Sequence, residues 1–336
     1  MVTAHDVKSM ALECGFDMAG LTPALPLSEA GFYRQWVNDG YAGEMRYLVD
    51  HRAEVRNDPR RLLPSAKSIL CVGKLYNGPQ PESPEMAAIS RYAWGDDYHD
   101  VLREGLERLV ELIRQAAGAE FEFKICVDTA PLLERAYARY AGLGWIGKNT
   151  CLISQEKGSW FFLGELLLSL ELDADSPPPD RCGTCTRCID ACPTTAIVPA
   201  APPGPAWTID SRLCIAYFTI ELRGPIPADA REGIGANVFG CDICQDVCPW
   251  NSRVPEVETG AAPPLEKLAA LSEEEFRAMF RRSPVKRAKY SGFLRNVAIA
   301  MGNLRLERFR EPLEKMAASP DAVVAEHARW GLERLG

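Results

Sequence analysis

The chain has 336 residues and a mass of 37.1 kDa, and at 47% hydrophobic and 25% charged residues it has the balance of a globular protein with room for two or three domains. A net charge of −8 argues against a uniform nucleic-acid coat, but the charge is uneven: from Arg281 onward twelve basic residues stand against six acidic ones, leaving that tail at +6 and the rest at −14. Such asymmetry points to an anionic partner docking at one end. The opening Met1-Val-Thr-Ala-His-Asp has none of the basic, apolar and small-residue segments of a signal peptide, and no apolar run is long enough to span a bilayer. A cytoplasmic protein with reduced thiols and no membrane partner is expected.

Residues 1–172 read as one α/β domain. Residues 4–15 place apolar side chains at helical spacing before a glycine stop and predict a first helix. Residues 68–76 form an apolar, β-branched run between Pro64 and Asn77-Gly78-Pro79, which predicts a buried strand. Residues 100–117 repeat apolar positions with charges between, as an amphipathic helix does. Residues 121–127 predict a strand running into Asp128-Thr129-Ala130-Pro131, where a helix through Tyr140 is expected to begin with Pro131 in its first turn. Asp128 therefore stands on a strand-to-helix corner, either as a working side chain on a rigid scaffold or as a helix cap. After the glycine-rich turn around Gly142, Gly144 and Gly147, residues 160–172 read as a strand paired with residues 150–155, with a buried helix as the alternative.

Ser176-Pro-Pro-Pro179 is a stiff linker into a cysteine-rich region. Cys182, Cys185, Cys188 and Cys192-Pro193 match the C-x2-C-x2-C-x3-C-P run of bacterial ferredoxins, in which the fourth cysteine ligates the other cluster. Cys241, Cys244 and Cys248-Pro249 repeat its ending without a first ligand, and Cys214 supplies the missing thiolate. Crossed wiring assigns Cys182, Cys185, Cys188 and Cys248 to one 4Fe-4S cluster, and Cys192, Cys214, Cys241 and Cys244 to a second. Structural zinc also uses short C-x2-C pairs, but has no use for a repeated x3-Cys-Pro ending. Cys14, Cys71, Cys126 and Cys151 lie in apolar runs and read as small core residues. A second proline-rich passage, residues 199–205, falls inside this region.

From about residue 265 the pattern is helical: residues 265–271, a capping box at Ser272 and Glu275, then 292–301, 312–318 and 321–335. Stacked short amphipathic helices suggest a HEAT-like unit or a plain helical cap. Two clusters mean electron transfer, so the first domain must hold the acceptor. Gly233-Ile-Gly235 has the wrong spacing for a dinucleotide fingerprint and there is no Walker A sequence, which leaves an unmarked organic or corrinoid cofactor.

Taken together, the runs at 91–100 (through Tyr98 and His99), 127–131, 144–150 and 239–251 resemble those of epoxyqueuosine reductases, in family order and over nearly the whole chain; Ala130 departs from a frequent glycine. The resemblance implies a multidomain α+β and α/β fold: residues 1–172 binding a base-off cobalamin, 173–264 a ferredoxin-like domain with two 4Fe-4S clusters, and 265–336 a HEAT-like helical domain. It implies removal of the epoxide oxygen from epoxyqueuosine at the tRNA wobble position, the last step to queuosine, with electrons from an external donor. The reaction takes two electrons and two protons, so Asp128 is expected to be the general acid, with a pKa raised by burial against the corrin. Arg56, Arg91, Lys148, Asn149 and Ser154, with Asp128, are the expected corrin contacts, and Tyr98 and His99 further site residues. The tRNA backbone is assigned to Lys286, Arg287, Lys289 and Arg295. Competing readings are a cytosolic corrinoid and iron-sulfur reductase of small molecules, related to reductive dehalogenases, and an electron carrier without a substrate. The basic tail and the large first domain disfavour both.

Overall fold

The computed structural model describes residues 2–78, 86–202, 204–257 and 263–336. Pro79, expected to bound a strand, and Pro203, in the second proline-rich passage, lie outside the described residues. The first domain is built on four strands: β1 (Met18–Pro23), β2 (Ser68–Leu75), β3 (Phe123–Cys126) and β4 (Phe161–Leu168), in the spatial order β1-β2-β4-β3. Every pairing is antiparallel, so this domain is α+β, not α/β. β4 forms the middle of the sheet, pairing Cys71 with Glu165 on one side and Cys126 with Glu165 on the other. That overturns the expected hairpin with residues 150–155: Leu152–Ile153 pairs with Trp145–Ile146 instead.

The two-residue side-chain period divides the sheet into two cores. Leu70, Val72, Leu166 and Leu168 face α1 (Ala4–Glu13) and α2 (Tyr98–Ala117), meeting Val7, Ala11, Leu102, Leu106 and Leu109. Ile69, Cys71, Cys126 and Leu167 face α3 (Glu134–Tyr140), meeting Tyr137 and Ala138. Asp97 starts α2 by accepting a hydrogen bond from the His99 N–H, and Gly118, at φ +63°, ends it. α3 begins at Glu134, later than expected, because residues 128–133 form an irregular corner.

In the cysteine-rich region the turns Arg187–Asp190 and Ile243–Asp246 carry Cys188 and Cys244, and Ile197–Pro199 pairs with Trp207–Ile209. Asn237–Phe239 runs parallel to Ala88–Ile89 of the first domain. The C-terminal helices are α4 (Leu265–Ala269), α5 (Glu273–Met279), α6 (Lys289–Leu304), α7 (Arg310–Ala317) and α8 (Ala322–Leu335). The capping box at Ser272 and Glu275 is present as expected. α6 is the central helix: Phe293, Val297 and Met301 share one core with Phe276, Leu313, Val324 and Ala328, and also with Ile89, Val238 and Phe239 from the preceding regions. The tail is therefore packed into the body of the protein. Among the described residues, no helix is long and apolar enough to cross a membrane.

Candidate active site and cluster loops

At the end of β3 the backbone turns sharply, and Asp128 adopts φ +49°, a left-handed conformation uncommon for a residue other than glycine. Its carboxylate does not cap α3. It points to His99 on the first turn of α2, with Oδ2 3.1 Å from Nε2. His99 Nδ1 lies 2.7 Å from Asp97 Oδ1, and Lys286 Nζ donates to Asp97 Oδ2 at 2.7 Å. Four charged side chains thus form one line from the first domain to the basic tail. Tyr98 donates to the same Asp128 carboxylate, stacking on His99 with ring centroids 4.1 Å apart and on Phe162 at 4.6 Å.

The hydrogen bond from Asp128 holds the His99 imidazolium above the ordinary histidine range, against the effect of burial. Surrounding protein alone would raise the Asp128 carboxyl, but the bond and charge of His99 outweigh it and leave the carboxyl below its usual value. Within the protein itself the mobile proton of this pair therefore sits on the imidazole.

Behind this line are two acids that the sequence reading missed. Glu165, in the middle of β4, is 0% exposed and neither carboxyl oxygen has a hydrogen-bond partner among the described residues. Glu134 accepts from the Asp128 backbone N–H while its Oε1 is buried without a partner. Burial, then the Asp128 charge, pushes Glu134 up to about 8; burial, then Glu134, drives Glu165 well above the carboxylate range. Both are kept protonated near neutral pH. A single glutamate inside an otherwise apolar strand, Phe161–Leu168, was the available signal.

The seven cysteines of the two runs, with Cys214, form no disulfide. Cys188 is influenced by Cys182, Cys185 and Cys248, whereas Cys241 is influenced by Cys214 and Cys192, and Cys244 by Cys241 and Cys214. Cys151 acts on Cys244, Cys214 and Cys248 as well. Cys71 and Cys126 are buried core residues as expected, but Cys151 is not simply one: its thiol hydrogen-bonds Cys244.

Several residues expected at the corrin are engaged in joining the domains. Lys148 Nζ donates to Gly183 O at 2.8 Å and Cys185 O at 2.9 Å, and Asn149 Nδ2 to Cys244 O at 3.2 Å. Arg91 lies over the Trp160 ring and pairs with Asp246 at 2.6 Å and Asp242 at 3.4 Å. Ser154 Oγ closes its own turn by accepting from Glu156 and Lys157. Arg56 is buried, bonds Tyr47 O, and acts on Glu134. In the tail, Lys286 is held by Asp97 and Arg287 by Glu221, with Arg287 also over the Tyr47 ring. Lys289 is exposed. Arg295 is a correction: at 0% exposure it lies inside the protein and cannot meet a phosphate.

A proton-carrying acid and imidazole beside a two-cluster cysteine domain defines an iron-sulfur reductase. A family model for a 4Fe-4S double cluster binding domain matches residues 181–251, a span containing all eight of those cysteines, so the chain carries two 4Fe-4S clusters. A second model, described as epoxyqueuosine reductase QueG, matches residues 56–129. The epoxyqueuosine reductase of Xanthomonas campestris is 40% identical over 99% of this chain and 96% of its own length, and that of Leadbetterella byssophila 42% identical over 88% and 97%. A crystal structure of an epoxyqueuosine reductase with an epoxyqueuosine-modified tRNA-Tyr stem loop superposes with a TM-score of 0.88 at 30% identity, covering 99% of this chain and 90% of that one. The chain belongs to the epoxyqueuosine reductase family.

Proposed function

We propose that this protein reduces epoxyqueuosine to queuosine at the wobble position of tRNA, drawing electrons from an external cytoplasmic donor through its two clusters. The observation that carries the reading is the Asp128, His99, Asp97 line, set in a chain of this family beside the double-cluster cysteine runs. Cys182, Cys185, Cys188 and Cys248 hold one cluster; Cys192, Cys214, Cys241 and Cys244 hold the other. Residues 1–172, 173–264 and 265–336 are the catalytic, ferredoxin-like and HEAT-like portions.

Cobalamin, when bound, would supply the low-potential reducing chemistry that the deoxygenation needs. The first domain fits such a group. The Trp145 indole N–H, edge-on to Trp250, is buried with no partner among the described residues, a spare donor of the kind an amide-bearing macrocycle can use, and the Asp128 side chain remains 43% exposed. Arg56, Asp128 and Ser154 would hold the cofactor, and Arg91, Lys148 and Asn149, which tie the first domain to the cysteine loops, would hold it while fixing those loops.

The residues divide the proton work. The epoxide oxygen leaves as water, which takes two protons with the two electrons. The His99 imidazolium, oriented by Asp97, is the proton store; it passes one proton through the Asp128 carboxylate to that oxygen, and the second follows by the same route after His99 is reprotonated from solvent. The anticodon nucleotide is unpaired and can be splayed into the site at modest cost. Lys286, Arg287 and Lys289 border its entrance and meet the flanking phosphates. The test is anaerobic turnover of an epoxyqueuosine-containing anticodon stem loop with a chemical reductant, read by mass spectrometry of the nucleoside. Loss of one oxygen is expected. No conversion by fully loaded enzyme, together with reduction of a small halogenated or epoxide substrate, would replace this reading by the small-molecule one.

A further inference from the structure

Two adjacent polar side chains of α6, Arg295 and Asn296, are both 0% exposed. A buried guanidinium is tolerated only where its donors are matched, and here main-chain carbonyls do most of the matching. Arg295 Nη1 donates to Leu222 O at 3.0 Å and Gly224 O at 2.6 Å, and Nη2 donates to Phe218 O at 2.5 Å. Nε and Nη2 share Asn296 Oδ1 at 3.1 and 2.9 Å. Asn296 in turn donates from Nδ2 to Thr219 O and Val238 O, each at 2.8 Å.

These acceptors lie on the two segments that deliver cysteines assigned to the second cluster. Residues Tyr217–Glu221 form a π-helical turn, a rare wide turn that often marks functional sites, and Phe218 N–H bonds back to Cys214 O at 3.1 Å. Val238 belongs to the strand that leads through Gly240 to Cys241. Thr219 ties the segments together: its Oγ1 donates to Ile215 O at 2.8 Å and accepts from the Gly240 N–H at 3.0 Å. One side of α6 thereby fixes both segments by their backbones. The first cysteine loop is held differently, by Lys148 on Gly183 O and Cys185 O.

We propose that Arg295, Asn296 and Thr219 are positioning residues for the second cluster, setting the separation of the Cys214 and Cys241 loops, so that α6 is a structural part of that cluster's binding site. This rests on the ligand sets assigned above. It also explains a buried arginine in a basic tail without recourse to nucleic acid. The network touches main chain and not sulfur, so it acts on where the ligands stand and leaves their chemistry to the cysteines.

The experiment uses the full chain, reconstituted anaerobically, with iron and sulfide analysis, electron paramagnetic resonance of the reduced protein, and thermal melting. Thr219→Val is nearly isosteric and removes only the two Oγ1 bonds; Asn296→Leu removes the bridge to Thr219 O and Val238 O. Either is expected to keep a cooperative melt while iron falls from about eight toward about four per chain, one four-iron cluster being lost. The remaining signal should match that of Cys214→Ser, and Cys188→Ser should leave the complementary one. Arg295→Lys, which keeps a donor but not the fork, should retain an intermediate amount of the second cluster. Full iron in both Thr219→Val and Asn296→Leu, or equal loss of both signals, overturns the proposal while leaving the ligand sets standing. Both clusters intact in Cys214→Ser would instead overturn the ligand sets, and the proposal with them.

Discussion

Lys286 Nζ reaches across from the tail to lie 2.7 Å from Asp97 Oδ2, while the other oxygen of the same carboxylate lies 2.7 Å from His99 Nδ1. A lysine and an imidazolium therefore share one carboxylate. The lysine both withdraws part of that carboxylate's charge from His99 and adds a like charge near it. Removing it as Lys286→Met should raise the His99 pKa further. Protonated His99 supports turnover below its folded pKa, which is raised from 6.5, so activity is expected to decline with pH on a limb lying above that value. In Lys286→Met this limb should move to higher pH, and in His99→Gln it should vanish with most of the rate. A limb at the same pH in wild type and Lys286→Met would disconnect the lysine from the proton path.

Asp128 occupies a left-handed backbone conformation that asparagine tolerates and alanine does not favour. Asp128→Asn isolates the loss of the proton carrier from any change of the turn. Clusters, cofactor and melting behaviour should persist, while single-turnover reduction slows by roughly 10²–10⁴, the usual cost of losing a general acid. Near-normal turnover in this variant would move the acid role elsewhere, with Tyr98 the next group in contact.

Glu165 and Glu134 make stability depend on pH in a definite sense. Their folded pKa values are raised, Glu134 to about 8, above the unfolded glutamate value of about 4.3. Their stabilising contribution is complete below the unfolded value and is lost as pH rises through the folded ones. Wild-type thermal stability should therefore decline from about pH 4.5 toward pH 8 from this source. Glu165→Gln, which cannot ionise, should flatten that decline in melts recorded across the range. An identical pH dependence in the variant would mean that the carboxyl ionises without cost and has a partner in solution.

For tRNA, the structure separates cations that look alike in the sequence. Lys289 is exposed and forms no ion pair among the described residues, so Lys289→Ala should reduce the salt slope of anticodon-arm binding by about one contact. Arg295→Lys should leave that slope unchanged. Equal slopes for wild type and Lys289→Ala would place the phosphate grip outside the start of α6. Deleting the whole tail would not test this, because α6 shares its core with Val238 and Phe239.

The double-cluster cysteine runs were legible because ligand spacing is a local property, and helix ends such as Ser272 with Glu275 were legible for the same reason. Partners at long range were not. The run at β4 showed its strand character, but nothing local in it says that it lies between β2 and β3 and not beside Leu152 and Ile153. Asp128 was identifiable from its corner, yet the His99 that holds its carboxylate, and the Asp97 and Lys286 behind that imidazole, are distant in sequence and could not be read from it. Arg295 was misread because charge type usually predicts exposure, and only the carbonyls of Phe218, Leu222 and Gly224 make an interior arginine tenable. Lys148 and Asn149 were recognised as notable, but the backbone atoms they hold belong to another domain.

The short parallel pairing of Ala88–Ile89 with Asn237–Phe239 has a bearing on how the protein is made. The two strands are separated by the second half of the first domain and most of the cysteine-rich region, and the helix that covers them, α6, is synthesised later still. A ribosome that has released only the first domain and both cysteine runs has produced thiols whose supporting backbone is incomplete. Final closure of this region must wait until α6 has emerged. Contacts of such sequence separation also form slowly compared with local helices. Scaffold proteins that deliver iron and sulfide would thus meet a nearly complete chain, and a ribosome stalled before α6 would leave cysteines exposed to oxidation.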